Sequence, residues 1–259
     1  MHAAFVKSLP VCSAVVALIL TGGEIGAQSA DDLIRNGDVF YSKLETAEAL
    51  KCYLSAEKLD PKNVRLLVHI SREYRHLMSD ATKAEEKRRL GGMAVEYAKR
   101  AVSFGPNDPE ANLAMAISYG KLQPLEGNRE RIQASRIIKS AADKVVSLDP
   151  HNDLGWHILG RWHEELADVS AVKRGLAQAV YGETLPESTH EEAAKCLEKA
   201  IELNPHRLIH YISLGGVYAQ MGRTEDALHL INKGLAMQET EKDDPEAKRQ
   251  GRELLAKLR

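Results

Sequence analysis

Small residues recur at one spacing along this chain, and that spacing leaves few folds open. Within residues 153–205, Trp156, Leu159, Gly160 and His163 lie on one face of a helical pattern, and Ala193, Leu197, Ala200 and Pro205 mark a second. Residues three and four apart share a helix face, so each set defines one buried stripe. Gly160 and Ala193 allow the two helices to approach closely, while Trp156, Leu159 and Leu197 fill the space on either side. Pro205 cannot continue the second helix, because it lacks an N–H and its ring clashes with the preceding turn. The unit then returns with Tyr211, Leu214, Gly215 and Tyr218, followed by Ala227, Ile231 and Gly234.

A pattern of W-x₂-L-G-x₂-Y followed by A-x₃-F and a proline is that of the tetratricopeptide (TPR) repeat, a pair of packed helices of about 34 residues. With that unit as ruler, repeat one covers 30–63 without insertion, carrying Leu33, Gly37 and Phe40, then Ala49, Tyr53, Ala56 and Pro61. Repeat two starts at Val64 and ends with Ala94, Ala98, Ala101 and Pro106. Its extra residues include the charge run 85–89, which extends a solvated helix. Repeat three begins at Pro109, with Asp108 as N-cap, and carries an insertion around 123–127. Repeat four holds the longest insertion, in which 172–181 reads as a short extra helix and 182–186 as a turn. Repeat five runs from Leu208 to about Gln238, and 245–259 forms an amphipathic helix to cap the last apolar face. No segment shows the period-two alternation of a strand. The expected fold is all-α: a TPR-like α-solenoid of about five helix-turn-helix repeats, 30–259, with insertions and a C-terminal capping helix.

The first residues form a separate object. Lys7 precedes an apolar run at 11–20 that is far shorter than the ~20 residues needed to span a bilayer, and 21–27 ends in Gly26 and Ala27. That order is the one found in secretory signals, so 1–27 is expected to be a signal peptide and the chain to be exported to a periplasm. The alternatives are a cytoplasmic or a membrane-associated protein. A net charge of −2 gives no electrostatic footprint for nucleic acid. Of the three cysteines, Cys52 and Cys196 fall on inner helix faces far apart in the chain and are expected as two buried thiols rather than a disulfide.

Motifs of phosphate-binding loops, dinucleotide folds, zinc proteases and serine hydrolases do not occur. No enzyme and no cofactor are therefore expected. The pairs His206 and His210, and His157 and His163, have no acidic or cysteine ligand beside them by spacing, so no metal is assigned. His163 stands where the repeat usually has tyrosine and reads as a packed core residue, as do Trp156 and Trp162. The remaining candidate site is the concave groove lined by the first helix of each pair. Spacing along those helices selects Arg65, Arg72, Arg75, Leu113, Ile117, His157, Arg161 and Ile212 as groove or ligand-binding residues. They give a basic wall beside an apolar floor. Such a surface suits an acidic, partly hydrophobic peptide or a phospholipid head group.

Several features in one order resemble the regulator of microtubule dynamics family. They are Glu85, Glu86 and Lys87, the run E-Y-A-K-R-A from Glu96 to Ala101, Arg131 with Ile132 and Gln133, and L-G-R-W from Leu159 to Trp162. After them come A-V-Y-G from Ala179, Glu192 with Ala193, K-A-I-E-L-N-P from Lys199 to Pro205, and Leu214, Gly215 and Tyr218. The resemblance implies a helical repeat scaffold without catalysis. It further implies association with microtubules and spindle poles in eukaryotic members, and phospholipid binding at mitochondria–endoplasmic reticulum contacts in one branch. The chain differs in opening with an export-like segment, as an exported bacterial-type relative would. The leading expectation is a non-enzymatic scaffold that binds a protein or peptide partner in its groove. The alternatives are a phospholipid-binding or transfer module, and a microtubule-associated regulator if the N-terminus is not a signal.

Overall fold

The structure, a computed structural model, describes residues 28–182 and 184–258. The segment expected to be a signal, and Cys12 within it, lie outside the described residues. Twelve α-helices make up the described chain: α1 (Ala30–Ser42), α2 (Thr46–Glu57), α3 (Val64–Asp80), α4 (Ala84–Phe104), α5 (Pro109–Leu122), α6 (Asn128–Leu148), α7 (Asp153–Ala167), α8 (Ala171–Tyr181), α9 (His190–Leu203), α10 (Leu208–Gln220), α11 (Thr224–Ala236) and α12 (Asp244–Leu258). No strand occurs among the described residues. The helices pair as α1–α2, α3–α4, α5–α6, α7–α9 and α10–α11, which are the five repeats expected from spacing.

Local chemistry starts these helices where the sequence places them. Asn63, Asp108 and Asn152 each accept a hydrogen bond from a backbone N–H in the first turn of α3, α5 and α7. Thr189 and Glu192 form a reciprocal capping box at α9. The two helices of a repeat are held close by the small residue on the first. A Cβ on Gly160 would stand 2.6 Å from Leu197 Cγ, and one on Gly215 would stand 2.5 Å from Ile231 Cγ1. In repeat two that slot is taken by Ser71, whose hydroxyl donates to the Ala94 carbonyl at 2.8 Å. Tyr53, Leu66, Leu67 and Ile70 are fully buried where repeats one and two meet, and Leu197, Val217 and Ala227 are buried where repeats four and five meet.

The insertions do three different things. In repeats two and three they lengthen α4 and α6 to 21 residues each, against 12 for α2. The charge run 85–89 sits in the first turns of α4. In repeat three a short 3₁₀ turn, Gln123–Leu125, precedes α6. In repeat four the insertion forms α8, which ends at Gly182 in the left-handed conformation (φ 69°) that glycine adopts without strain. Ala177 and the half-buried Arg174 of α8 turn inward, Arg174 donating to the Val169 and Leu166 carbonyls, and Val172, Leu176 and Val180 face solvent.

Three expectations about the core need correction. Trp156 is only half-buried, with its indole N–H donating to the Pro150 carbonyl at 2.9 Å, because it lies at the open end of α7. Its partner Trp162 is buried against Ile138 and Leu166. Cys52 and Cys196 are unpaired and half-buried, since each sits at the margin of its helix stripe. His163 is likewise half-buried: its Nδ1 lies 2.6 Å from Ser188 Oγ, so the tyrosine slot holds a polar contact instead of an apolar plug.

Candidate functional site

The first helices of the repeats line a cavity of about 530 Å³. Val68, Arg72 and Arg75 come from α3, Leu113, Ala114 and Ile117 from α5, Leu154, His157, Ile158 and Arg161 from α7, and Ile209 from α10. Six of the residues selected from spacing therefore meet around one space: Arg72, Arg75, Leu113, Ile117, His157 and Arg161. Two do not. Arg65 sits in the first turn of α3 at the outer edge, where its guanidinium pairs with Asp38 at 2.9 Å and remains largely exposed. Ile212 is 3% exposed in a core with Leu208 and Ala247. Helix α12 causes this: it lies across α10 so closely that a Cβ on Gly251 would stand 2.5 Å from Ile212 Cδ1. The capping helix covers the concave face of repeat five, and the groove ends there.

A feature that spacing did not reveal closes the groove from above. The segment 237–243, between α11 and α12, returns from repeat five to repeats two and three. Asp243 accepts from Lys121 Nζ of α5 at 2.6 and 2.7 Å and from the Ser79 hydroxyl of α3 at 3.0 Å. Lys242 pairs with Asp80 at 3.0 Å, and Glu241 accepts from Arg207 at 3.1 Å. Asp244 fixes the segment from within by accepting from the N–H groups of Thr240 and Glu241. Glu241, Lys242, Asp243 and Asp244 thereby join the lining of the cavity. The signal available in sequence was the acidic composition of 239–244; the contact itself joins residues more than a hundred positions apart.

On one side of the cavity the polar groups are a charged cluster. Arg72 donates from Nε to Glu73 Oε1 at 3.1 Å, and its guanidinium carbon lies 3.5 Å from the centre of the Tyr41 ring. Arg75 is 7% exposed and donates from Nη1 to Ser71 Oγ and Ser118 Oγ, both at 3.1 Å. Each of those hydroxyls spends its own proton on a helix carbonyl, Ala94 and Ala114 respectively, and so can only accept from Arg75. Burial, with some repulsion from Arg72, lowers the Arg75 pKa to about 10, which leaves it a cation at neutral pH.

On the opposite side runs a neutral chain. Asp153 Oδ2 lies 2.9 Å from His210 Nε2, and His210 Nδ1 lies 3.0 Å from His157 Nδ1. Burial is the main cause that lowers both imidazoles, His157 strongly. Burial alone would raise the Asp153 carboxyl, but His210 and Arg207, the latter at 2.8 Å, hold it at about 2. An ionised Asp153 accepts a hydrogen bond from His210 Nε2–H, so His210 Nδ1 accepts and His157 Nδ1 donates to it. Arg161 pairs with Glu164 of its own helix. Among the described residues no group of three or more His, Cys, Asp or Glu side chains could hold a metal ion. No described helix is long and apolar enough to cross a membrane.

Comparison with known proteins places this architecture. Regulator of microtubule dynamics protein 3 of Xenopus laevis is 26% identical over 201 residues, covering 77% of this chain and 43% of the relative. Regulator of microtubule dynamics protein 1 of Bos taurus is 29% identical over 208 residues, covering 80% and 62%. The chain thus spans about half the length of the curated relatives it matches. Among solved structures, a thermophilic TPR protein of Thermus thermophilus aligns with a TM-score of 0.60 at 19% identity, covering 88% of this chain and 100% of that one. MamA of Desulfovibrio magneticus RS-1 aligns at 0.51 and 13% identity, covering 81% and 94%. Those likenesses carry the fold alone. The sequence model of the family described as regulator of microtubule dynamics protein 1-3 matches residues 33–259, and the chain belongs to that family.

Proposed function

We propose that the protein is a non-enzymatic TPR scaffold whose concave groove takes an acidic, partly hydrophobic segment of a protein partner. The observation that carries this reading is the strap 237–243. Its carboxylates Asp243 and Glu241 already sit on Lys121 and Arg207, so the groove's cations accept acidic chain when it is supplied from within. An external acidic segment competes for the same cations and places its apolar residues on Leu113 and Ile117.

A dye-labelled peptide copying residues 237–244 is the direct probe. The chain carrying Glu241→Gln and Asp243→Asn should bind it at least tenfold more tightly than the parent, because the competing strap is weakened. Lys121→Ala, added to that chain, should weaken binding, most strongly at low salt, where charges are least screened. No binding by either chain would sink the reading.

The apolar floor beneath the arginines supports a second reading, a phospholipid-binding module; lipid extraction and mass spectrometry of the purified chain decide it, and a clean extract counts against it. The names of the relatives support a third, in microtubule regulation, which co-sedimentation with polymerised tubulin tests. An exported location remains the reading of 1–27. The intact mass of the natively expressed protein checks it, since retention of those residues in a cytosolic fraction would overturn it.

A further inference from the structure

Large apolar side chains reach solvent in two patterns among the described residues. Val39, Leu44, Leu59, Phe104 and Leu148 are exposed singly on separate stretches of the chain, as is ordinary for a protein surface. Val172, Leu176 and Val180 are different: all three stand on α8, at 81%, 59% and 60% exposure. Spaced four apart, they form one ridge along the helix. It lies on the side away from Ala177 and Arg174, which turn inward.

Helix α8 is tied in place more than it is packed. Ser170 caps its start and Gly182 its end. Arg174 donates to the carbonyls of Leu166 and Val169 before the helix, and of Leu185 and Pro186 after it. A helix of 11 residues is marginal in water by itself; here one guanidinium secures it with the apolar ridge turned outward. A contiguous exposed apolar patch marks an interaction surface. No α8 residue lines the cavity, so this surface is separate from the groove.

The pattern of the ridge selects its occupant. Val-x₃-Leu-x₃-Val reads the same in both directions. A second copy of α8, laid antiparallel about a two-fold axis at Leu176, therefore sets Leu176 against Leu176 and Val172 against Val180. Such self-complementarity is what a two-fold interface requires. The charges permit the pairing as well. Arg174 is engaged inward, and Lys173, the other charged residue of α8, lies level with the copy's Ala179. It stands about 9 Å along the axis from the copy's Lys173, where salt screens the repulsion. The ridge itself carries no charge with which a charged peptide could pair.

We propose that α8 is a self-association face, through which two copies of this chain pair by antiparallel apposition of Val172, Leu176 and Val180. The dimer is weak and depends on concentration, because one short helix from each copy is small beside the roughly 1,200 Å² or more of stable interfaces. The pairing does not use the groove, so a dimer offers two grooves to one partner. It stands whether or not a peptide occupies them.

Sedimentation velocity of the full chain across a hundredfold range of concentration tests it. The sedimentation coefficient should rise from that of a monomer to that of a dimer. Leu176→Glu sets two carboxylates together at the axis and should weaken association at least tenfold. Because Leu176 is exposed, this variant should keep the parent's circular dichroism and melt. Mixing Leu176→Glu with Leu176→Lys should restore a mixed dimer that neither forms alone. Disulfide capture reads the direction, in a chain carrying Cys12→Ser, Cys52→Ser and Cys196→Ser. Leu176→Cys should cross-link with itself, and Val172→Cys with Val180→Cys far more readily than with itself. A chain that is monomeric throughout, or a Val172→Cys that cross-links with itself as readily as with Val180→Cys, would overturn the pairing. Association unaltered by Leu176→Glu would also overturn it, and would move the contact to another segment such as 11–20. So would a monomer that floats with phosphatidylcholine vesicles and loses this in Leu176→Glu, since the ridge would then belong to a membrane.

Discussion

The two sides of the cavity bury polar groups to similar depth and balance them in opposite ways. Across α7 and α10, the carboxylate of Asp153 is matched by Arg207, and two imidazoles extend from it as neutral links. Across α3 and α5, Arg75 keeps its charge against two hydroxyls. The first arrangement sets charge against charge in direct contact. In the second, Asp243 and Glu73 act on the guanidinium at longer range, and hydroxyls make the contacts. Burial depth alone therefore does not say how a charge is balanced.

That contrast is testable by removing one member from each side. Asp153→Ala takes the acceptor from His210 and one of the two carboxylates from Arg207, and should cost about 1–3 kcal/mol in urea unfolding, as leaving a buried donor unsatisfied does. Arg75→Met, at the same depth, should leave the ligand-free chain unchanged to within about 1 kcal/mol or stabilise it, because a desolvated charge is exchanged for a packed thioether stem. Equal losses would mean that the two clusters are balanced alike.

Gly160→Leu asks whether the α7 side depends on its polar chain or on helix approach. Crowding against Leu197 and the Ala193 carbonyl should cost about 1–3 kcal/mol, seen as a lower Tm, and the same holds for Gly215→Leu. A parent-like melt would mean that the repeat phasing is wrong.

The pH dependence sharpens the comparison further. His157 and His210 stay neutral in the folded chain, whereas unfolded imidazoles take protons near pH 6.5. Stability should therefore fall as pH drops below about 6.5, by up to about 1.4 kcal/mol per pH unit for each imidazole. His69, lowered to about 4 mainly by burial, adds to this until pH reaches that value. Asp153 acts in a lower window: its contribution is complete above its ordinary value of 3.8 and is lost as pH falls toward 2. Urea midpoints between pH 7.5 and 5 check the sign, and a flat profile would exclude neutral buried histidines. The smallest effect is expected for Ser118→Ala, about 1 kcal/mol for the acceptor lost by Arg75.

Much of this was readable in the order of residues. Repeat boundaries followed from Gly160, Gly215, Pro109 and the Asp108 cap, since capping and helix packing through small residues are local matters of spacing. The inward register of α3, α5 and α7 was readable for the same reason, and it brought Arg72, Arg75, Leu113, Ile117, His157 and Arg161 to one surface. Ile212 escaped it because position on a helix face says nothing about what covers that face, and Arg65 because the first turn of α3 lies at the outer edge beside Asp38. The covering elements were α12 and the strap, whose contacts join 79–80 and 121 with 242–243.

Periodicity and residues close along the chain were enough to set the repeat, its number and the family. Which charges are satisfied was settled only by the packed arrangement of helices. Pairing energies depend on distance and desolvation between helices remote in sequence, so Lys121 and Arg207 gained carboxylates in direct contact while Arg75, with the same charge, was held by two serine hydroxyls.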